Sequence, residues 1–142
     1  MTAGPPGTPA DLDGPYGGDK TPSETVTAFI DALEATDFDA AIALVGDECE
    51  YDNVPMGKVH GPTEIRGLLE PMLGAATTVE WIVYRQAADG PIVFNERLDR
   101  FEMPFGWVDM PVTGVWEVND GKITLWRDYF DLATYRDQLP AS

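Results

Sequence analysis

The chain is poor in the residues that most often carry enzyme chemistry. Its 142 residues include one cysteine, Cys49, and one histidine, His60. A lone cysteine excludes an intrachain disulfide and makes the cytoplasm the default expectation for location. A Ser-His-Asp or Cys-His constellation would have to use His60. That residue lies in Gly57-Lys58-Val59-His60-Gly61-Pro62, a loop leading into a helix, and no nucleophile signature accompanies it. The Cys/His ligand sets that hold zinc are missing as well. Basic residues are scarce, with 9 Lys and Arg against 25 Asp and Glu, for a formal net charge of −16. Such a surface repels phosphate backbones and anionic bilayers, so neither nucleic acid nor a membrane is an expected partner. No apolar run approaches the ~20 residues needed to span a bilayer. The N-terminus shows no basic stretch leading into an apolar one, so a signal peptide is not expected.

What is present is apolar enough, at 44% with 11% aromatic, for one globular core with a cavity in it. Residues 1–20 are rich in Gly and Pro and nearly free of apolar side chains, which predicts a disordered tail ahead of a single domain over 21–142. Order is expected from Thr21, as N-cap of a helix with Pro22 at its first position and Glu24 completing a capping box. Val26, Phe29, Ile30 and Leu33 follow at helical spacing. A second short helix is expected to turn Phe38, Ala41, Ile42 and Val45 inward and to end at Gly46. Glu48 to Val54 reads as a strand with Cys49, Tyr51 and Asn53 on one face, broken by Pro55 and Gly57. Gly61-Pro62 opens a third helix with Ile65, Leu68, Leu69 and Met72 as its apolar stripe.

From Thr77 the period changes to two, and four strands are predicted over roughly 78–87, 91–102, 107–118 and 122–130. Short Gly-bearing links at 88–90, 104–106 and 119–121 point to hairpins and an antiparallel sheet. A final helical turn or two covers Leu132 to Leu139. Helices first and hairpin-linked strands after them make an α+β domain, whose curved sheet would leave a pocket over the helices.

Two stretches break the apolar pattern. In Val93, Asn95, Arg97, Asp99 and Phe101 one strand face mixes charge with rings, and the opposite face of Ile92, Phe94, Glu96, Leu98 and Arg100 is no cleaner. Periodicity therefore leaves Arg97 and Asp99 either as a surface pair or as part of a site. In Thr124, Trp126, Asp128 and Phe130 a carboxylate stands among large rings. A buried, ionised Asp needs a partner or a raised pKa, and Arg127 or a backbone N–H could also satisfy it.

Tyr51-x-Asn53, Glu96-Arg97-Leu98-Asp99 and the run Gly121-Lys122-Ile123-Thr124-Leu125-Trp126-Arg127-Asp128-Tyr129-Phe130-Asp131, in this order, resemble the limonene-1,2-epoxide hydrolase family from about Ser23 to Leu139. The last run carries most of the specificity. The resemblance implies a cone-shaped α+β fold of the kind shared by nuclear transport factor 2 and ketosteroid isomerase, with a curved, mostly antiparallel mixed sheet around a deep pocket. It implies a homodimer and a cofactor-free hydrolase that turns a hydrophobic epoxide (terpene-like, cyclic or lipid) into a vicinal diol. Carried over by position, Asp99, Arg97 and Asp128 form the catalytic set, with Tyr51 and Asn53 holding the water. A shorter hairpin between Asp99 and Gly114 departs from the family pattern and bears on the pocket rim.

The chemistry so implied needs an acid and a base at once. Asp128 would take a proton from water and Asp99 would give one to the epoxide oxygen, with Arg97 bridging the two carboxyls. Candidates for the apolar wall are Met72, Leu73, Phe101, Met110, Val112, Trp126 and Phe130, each of which could equally be core. Cys49 reads as a small packing residue. Trp107 and Trp116 fall on opposite strand faces, and one of them is expected to face a partner subunit. Rival functions on the same scaffold are an epoxide-opening cyclase, a ketosteroid-isomerase-like proton shuttle, and a non-catalytic ligand-binding module.

Overall fold

The computed structural model describes residues 20–141; the predicted tail over 1–20 lies outside them, Lys20 excepted. The first helix, α1 (Pro22–Glu34), carries the expected capping box, with Glu24 N donating to Thr21 Oγ1 at 3.1 Å and Thr21 N to Glu24 Oε1 at 2.9 Å. Its stripe of Val26, Phe29, Ile30 and Leu33 is buried. Helix α2 (Phe38–Ile42) is capped by Asp37 and buries Phe38 and Ala41. Val45 and Gly46 do not close that helix, contrary to the sequence-based expectation. They open strand β1 (Val45–Asn53), where Val45 pairs with Ile123.

The Gly57–His60 stretch is not a loop but a four-residue strand, β2, antiparallel to β1 with Tyr51 opposite Val59. Gly57, at φ +123°, makes the sharp entry that reads in sequence as a break. Helix α3 (Gly61–Gly74) buries Ile65, Leu69 and Leu73 and leaves Leu68 and Met72 toward its edge. The long strands are β3 (Thr78–Asp89), β4 (Ile92–Met103), β5 (Gly106–Asn119) and β6 (Lys122–Tyr129), close to the predicted spans, followed by α4 (Leu132–Arg136).

The six strands form one curved, unclosed sheet in the order β2-β1-β6-β5-β4-β3. All neighbours are antiparallel except β1 and β6, which run parallel, with β2, α3 and β3 to β5 between them in the chain. The hairpin turns sit where the Gly-bearing links predicted, with Gly90, Gly106 and Gly121 at positive φ.

The register fixes what meets what. Tyr51, Trp126 and Trp116 are direct partners across β1, β6 and β5, and their rings stack, with centroids 3.7 Å and 4.8 Å apart and planes within 9°. Phe29 of α1 meets the two indoles edge-on at 5.8 and 5.1 Å. This aromatic block is the middle of the core and the floor of the site beside it. The C-terminal segment is tied back to β5 through Gln138, which accepts from Asp109 N and donates to Asp109 O, both at 2.8 Å.

Candidate active site

One row along from the aromatic stack, the same register brings Asn53 of β1 beside Asp128 of β6 and Asp128 beside Gly114 of β5. Arg97 and Asp99 come from β4, on its inward face. Periodicity had left that face undecided; Val93, Asn95, Arg97, Asp99 and Phe101 are all buried, so the surface-pair reading is excluded. The Arg97 side chain has 0% exposure and those of Asp99 and Asp128 have 4% each.

Four bonds hold the guanidinium. Nε donates to Asp99 Oδ1 at 2.9 Å and Nη2 to Asp99 Oδ2 at 2.8 Å, a bidentate pair. Nη2 also donates to Asp128 Oδ2 at 3.0 Å, and Nη1 to Asn95 Oδ1 at 2.9 Å. The other oxygen of Asp128, Oδ1, accepts from the Trp126 indole at 2.8 Å. Asp128 is thus satisfied by Arg97 and Trp126. Arg127, the other partner considered, points to Glu50 at 3.1 Å and Asp52 at 3.4 Å. Flat apolar surface completes the enclosure, with the Trp81 ring 4.9 Å from the guanidinium carbon.

Burial sets the electrostatics. It pushes the Asp128 carboxyl up to about 6 against the pull of Arg97, helped by the neighbouring charge of Asp99. Burial likewise raises Asp99 against Arg97. Loss of water works against the Arg97 charge, but Asp128 and Asp99 more than restore it, and the guanidinium stays protonated. Burial and then Asp128 keep the Tyr51 phenol well above its ordinary range, so it is a neutral hydroxyl. One fixed cation thus stands against two carboxyls whose pKa values are both raised. The cheapest charge state for such a cluster holds one shared proton.

A cavity that opens to solvent at one end lies beside this cluster. Tyr51, Asn53, Asp99 and Asp128 supply its polar wall, and Met72, Phe101, Met110 and Phe130 line it as the sequence predicted. Leu73, Val112 and Trp126 do not. Leu73 points into the core behind α3, Val112 packs opposite Arg97 in the ladder, and Trp126 is covered by the stacked Tyr51 ring.

Four further lining residues were not foreseen: Met56, Leu68, Trp81 and Tyr135. Leu68 lay in the predicted stripe of α3, and Trp81 sits directly across the ladder from Asp99, a neighbour that only the register reveals. Met56 belongs to the turn between β1 and β2, and Tyr135 to α4. Asn95, on the same strand face as Arg97 and Asp99, adds an acceptor for the guanidinium that its position in the sequence does not signal. Asp131, which ends the aromatic motif, caps α4 by accepting from Thr134 N at 3.1 Å and so stands outside the chemistry.

The remaining candidates sort simply. Cys49 is buried beside the core, where loss of water and Glu50 push its thiol up to about 12, so it packs rather than reacts. His60 lies on β2, 3.7 Å from Glu50 and outside the cavity. Trp116 is the inward tryptophan and Trp107 the outward one, its ring covered by Arg100 at 4.2 Å.

Comparison with known proteins bears on this geometry. Residues 20–140 match the family described as the limonene-1,2-epoxide hydrolase catalytic domain. Over 107 residues, 75% of this chain and 71% of the other, the sequence is 42% identical to epoxide hydrolase EphG of Mycobacterium tuberculosis. The solved structure of an M. tuberculosis LEH-like epoxide hydrolase superposes with a TM-score of 0.74 at 39% identity, covering 82% of this chain and 86% of that one. More distant matches share the fold alone. A protein of ketosteroid isomerase-like fold from Catenulispora acidiphila gives a TM-score of 0.74 at 22% identity, over 85% of this chain and 96% of that one. A SnoaL-like protein from Shewanella putrefaciens gives 0.75 at 17%, over 82% and 94%. The chain belongs to the limonene-1,2-epoxide hydrolase family.

Proposed function

We propose that the protein is an epoxide hydrolase that opens a hydrophobic epoxide with water in one step, giving a vicinal diol without a cofactor. The observation that carries this reading is Arg97 Nη2, bonded at once to Asp99 and to Asp128 in a buried site that opens on an apolar cavity. An epoxide is strained but its oxygen leaves poorly, and water attacks poorly until a base removes its proton. A pair of carboxyls sharing one proton answers both needs.

Asp128 is assigned as the base on water, which Asn53, its cross-strand partner on β1, and Tyr51, on the same cavity wall, hold in place. Asp99 is assigned as the acid to the epoxide oxygen, and Arg97 as the bridge. Because Arg97 gives Asp99 two bonds and Asp128 one, the shared proton rests on Asp128. That is the state which one turnover would leave behind. Return of the proton to Asp99, through Arg97 Nη2 or solvent, resets the site. A ketosteroid-isomerase-like shuttle has no use for a guanidinium tied to both carboxylates. The apolar lining of Met72, Phe101, Met110 and Phe130 supports a terpene-like, cyclic or lipid epoxide.

The subunit arrangement proposed is a homodimer, and the compartment the cytoplasm. On the outer sheet face Ile82 pairs with Leu98 and Leu98 with Pro111, and Ile82, Phe94 and Trp107 are exposed there, an apolar surface suited to a second copy. Sedimentation equilibrium is expected to give twice the chain mass, and Ile82→Lys with Phe94→Lys to halve it; a monomeric wild type contradicts the dimer.

The activity is tested by turnover of a panel of terpene, cyclic and lipid epoxides to diols. Asp99→Asn and Asp128→Asn are each expected to lower kcat by about 10²–10⁴-fold while thermal melting shows an intact fold. Activity retained in either variant contradicts its role. The pH dependence follows from the shared proton. The second carboxyl to ionise is held at about 6, so kcat/KM is expected to fall as pH rises through that value, when the last proton leaves and no acid remains. It falls again at lower pH, when both carboxyls are protonated and no base remains. A profile flat from pH 5 to 8 contradicts the shared-proton site.

A further inference from the structure

The row of residues that brings Asn53 beside Asp128 does not stop at that carboxyl. It continues through Gly114 of β5 and Asn95 of β4 to Gln86 of β3, each the direct cross-strand partner of the next. Three amides and a carboxyl thus lie in register over five strands, on the face that the sheet turns to its core. Asn53 and Asp128 have roles in the site described above; Asn95 and Gln86 have none.

The far half of the row is fully bonded. Asn95, 3% exposed, accepts at Oδ1 from Arg97 Nη1 at 2.9 Å and from Trp116 Nε1 at 3.2 Å. Its Nδ2 donates to Gln86 Oε1 at 3.0 Å. Gln86 Nε2 then donates to Ser23 Oγ at 2.7 Å, Ser23 O at 3.1 Å and Thr27 Oγ1 at 3.2 Å, all on the first turns of α1. The amide orientation follows from its neighbours, since only an oxygen can face a guanidinium and an indole N–H together.

Two local departures in the sheet make this arrangement possible. Between Val83 and Arg85 the register of β3 slips by one residue, so Arg85 opposes the outward Glu96 and Gln86 opposes the inward Asn95. Without that bulge Gln86 would fall on the outer face. At position 114 a side chain would occupy the space of the guanidinium. A Cβ there would strike Arg97 Nη1 and would stand 2.7 Å from Asn95 Oδ1 and 2.9 Å from Trp116 Nε1.

We propose that Asn95, anchored through Gln86 to α1, is the positioning residue that sets the rotation of the Arg97 guanidinium and so divides Nη2 between Asp99 and Asp128. This rests on the reading that these two carboxyls share the catalytic proton. Nη1 and Nη2 are ends of one rigid plane, so a fixed acceptor on Nη1 fixes the direction of Nη2. Asn95 also supplies that acceptor without charge, which keeps one cation matched to two carboxyls and one proton. Among the described residues, the titratable groups that act on Arg97 are Asp99 on its own strand, Asp128 on β6 and Tyr51 on β1. On α1, Glu34 accepts from Trp81 N at 2.8 Å.

The test uses Asn95→Leu, Asn95→Asp and Gln86→Leu in the full chain, with cyclohexene oxide as the probe epoxide. Asn95→Leu is expected to lower kcat by about 10–100-fold with KM unchanged, as loss of aim at the reacting groups requires. Gln86→Leu, which touches neither Arg97 nor the cavity, is expected to lower kcat by about 3–10-fold in the same pattern. In Asn95→Asp a third carboxyl raises the pair, so the alkaline limb of kcat/KM is expected to move up by about one pH unit. Wild-type kcat and an unmoved limb in folded variants overturn the proposal. A second readout is independent of turnover: the Arg97 guanidinium ¹⁵Nη signals are expected to be separate in the wild type and merged by rotation in Asn95→Leu and Gln86→Leu. Separate signals in both variants overturn the positioning role even if no epoxide is turned over. Absence of wild-type turnover together with merged signals counts against the hydrolase reading alone.

Discussion

A guanidinium ion cut off from water must find its compensation inside the fold, and in this protein the fold is arranged around that need. Taking an ion of this size out of water costs several kcal/mol even after relaxation. Arg97 recovers it through bonds to Asp99, Asp128 and Asn95, with tryptophan faces above and beside it. A lysine could not substitute, since a single ammonium cannot span acceptors on three sides in one plane. Two of these acceptors have a support of their own, Trp126 for Asp128 and Gln86 for Asn95, and bare backbone at Gly114 leaves room for the guanidinium itself.

The charge arithmetic of that cluster connects stability to chemistry. With both carboxyls ionised the site would hold an uncompensated negative charge in a dry place, and with both protonated it would hold an uncompensated positive one. The state with one proton is neutral, and it is also the state that contains an acid and a base together. The chain's general acidity, −16 overall, plays no part in this. What matters is that the aromatic stack of Tyr51, Trp126 and Trp116 keeps the local surroundings apolar enough for two neighbouring carboxyls to compete for one proton.

Much of this was legible in the sequence, and the illegible part has a common physical cause. The capping box at Thr21, the Gly-bearing hairpin turns and the two-residue period of the long strands are local signals, and they placed α1 and β3 to β6 closely. The misfit of Asp128 among rings was local too. The face of β4 was not, because both faces mix charge with apolar residues and only packing against α1 chooses between them. Strand β2 escaped notice because four residues led by a glycine at positive φ carry no alternation. Leu73, Val112 and Trp126 were expected on the cavity wall because they lie near it in the chain. Their true positions depend on helix rotation and on which ring lies over which. The pairing of Trp81 with Asp99 and of Gln86 with Asn95 depends on register across a bulge, to which a single strand's pattern is blind.

The central claim is that water attacks the epoxide directly while the two carboxyls only exchange protons. Single-turnover hydrolysis in oxygen-18 water, followed by mass spectrometry of diol and protein, tests it most directly. The account predicts one labelled oxygen in the diol and none in the protein. Label in the carboxylate of Asp99 or Asp128 would mean a covalent ester intermediate and would contradict it.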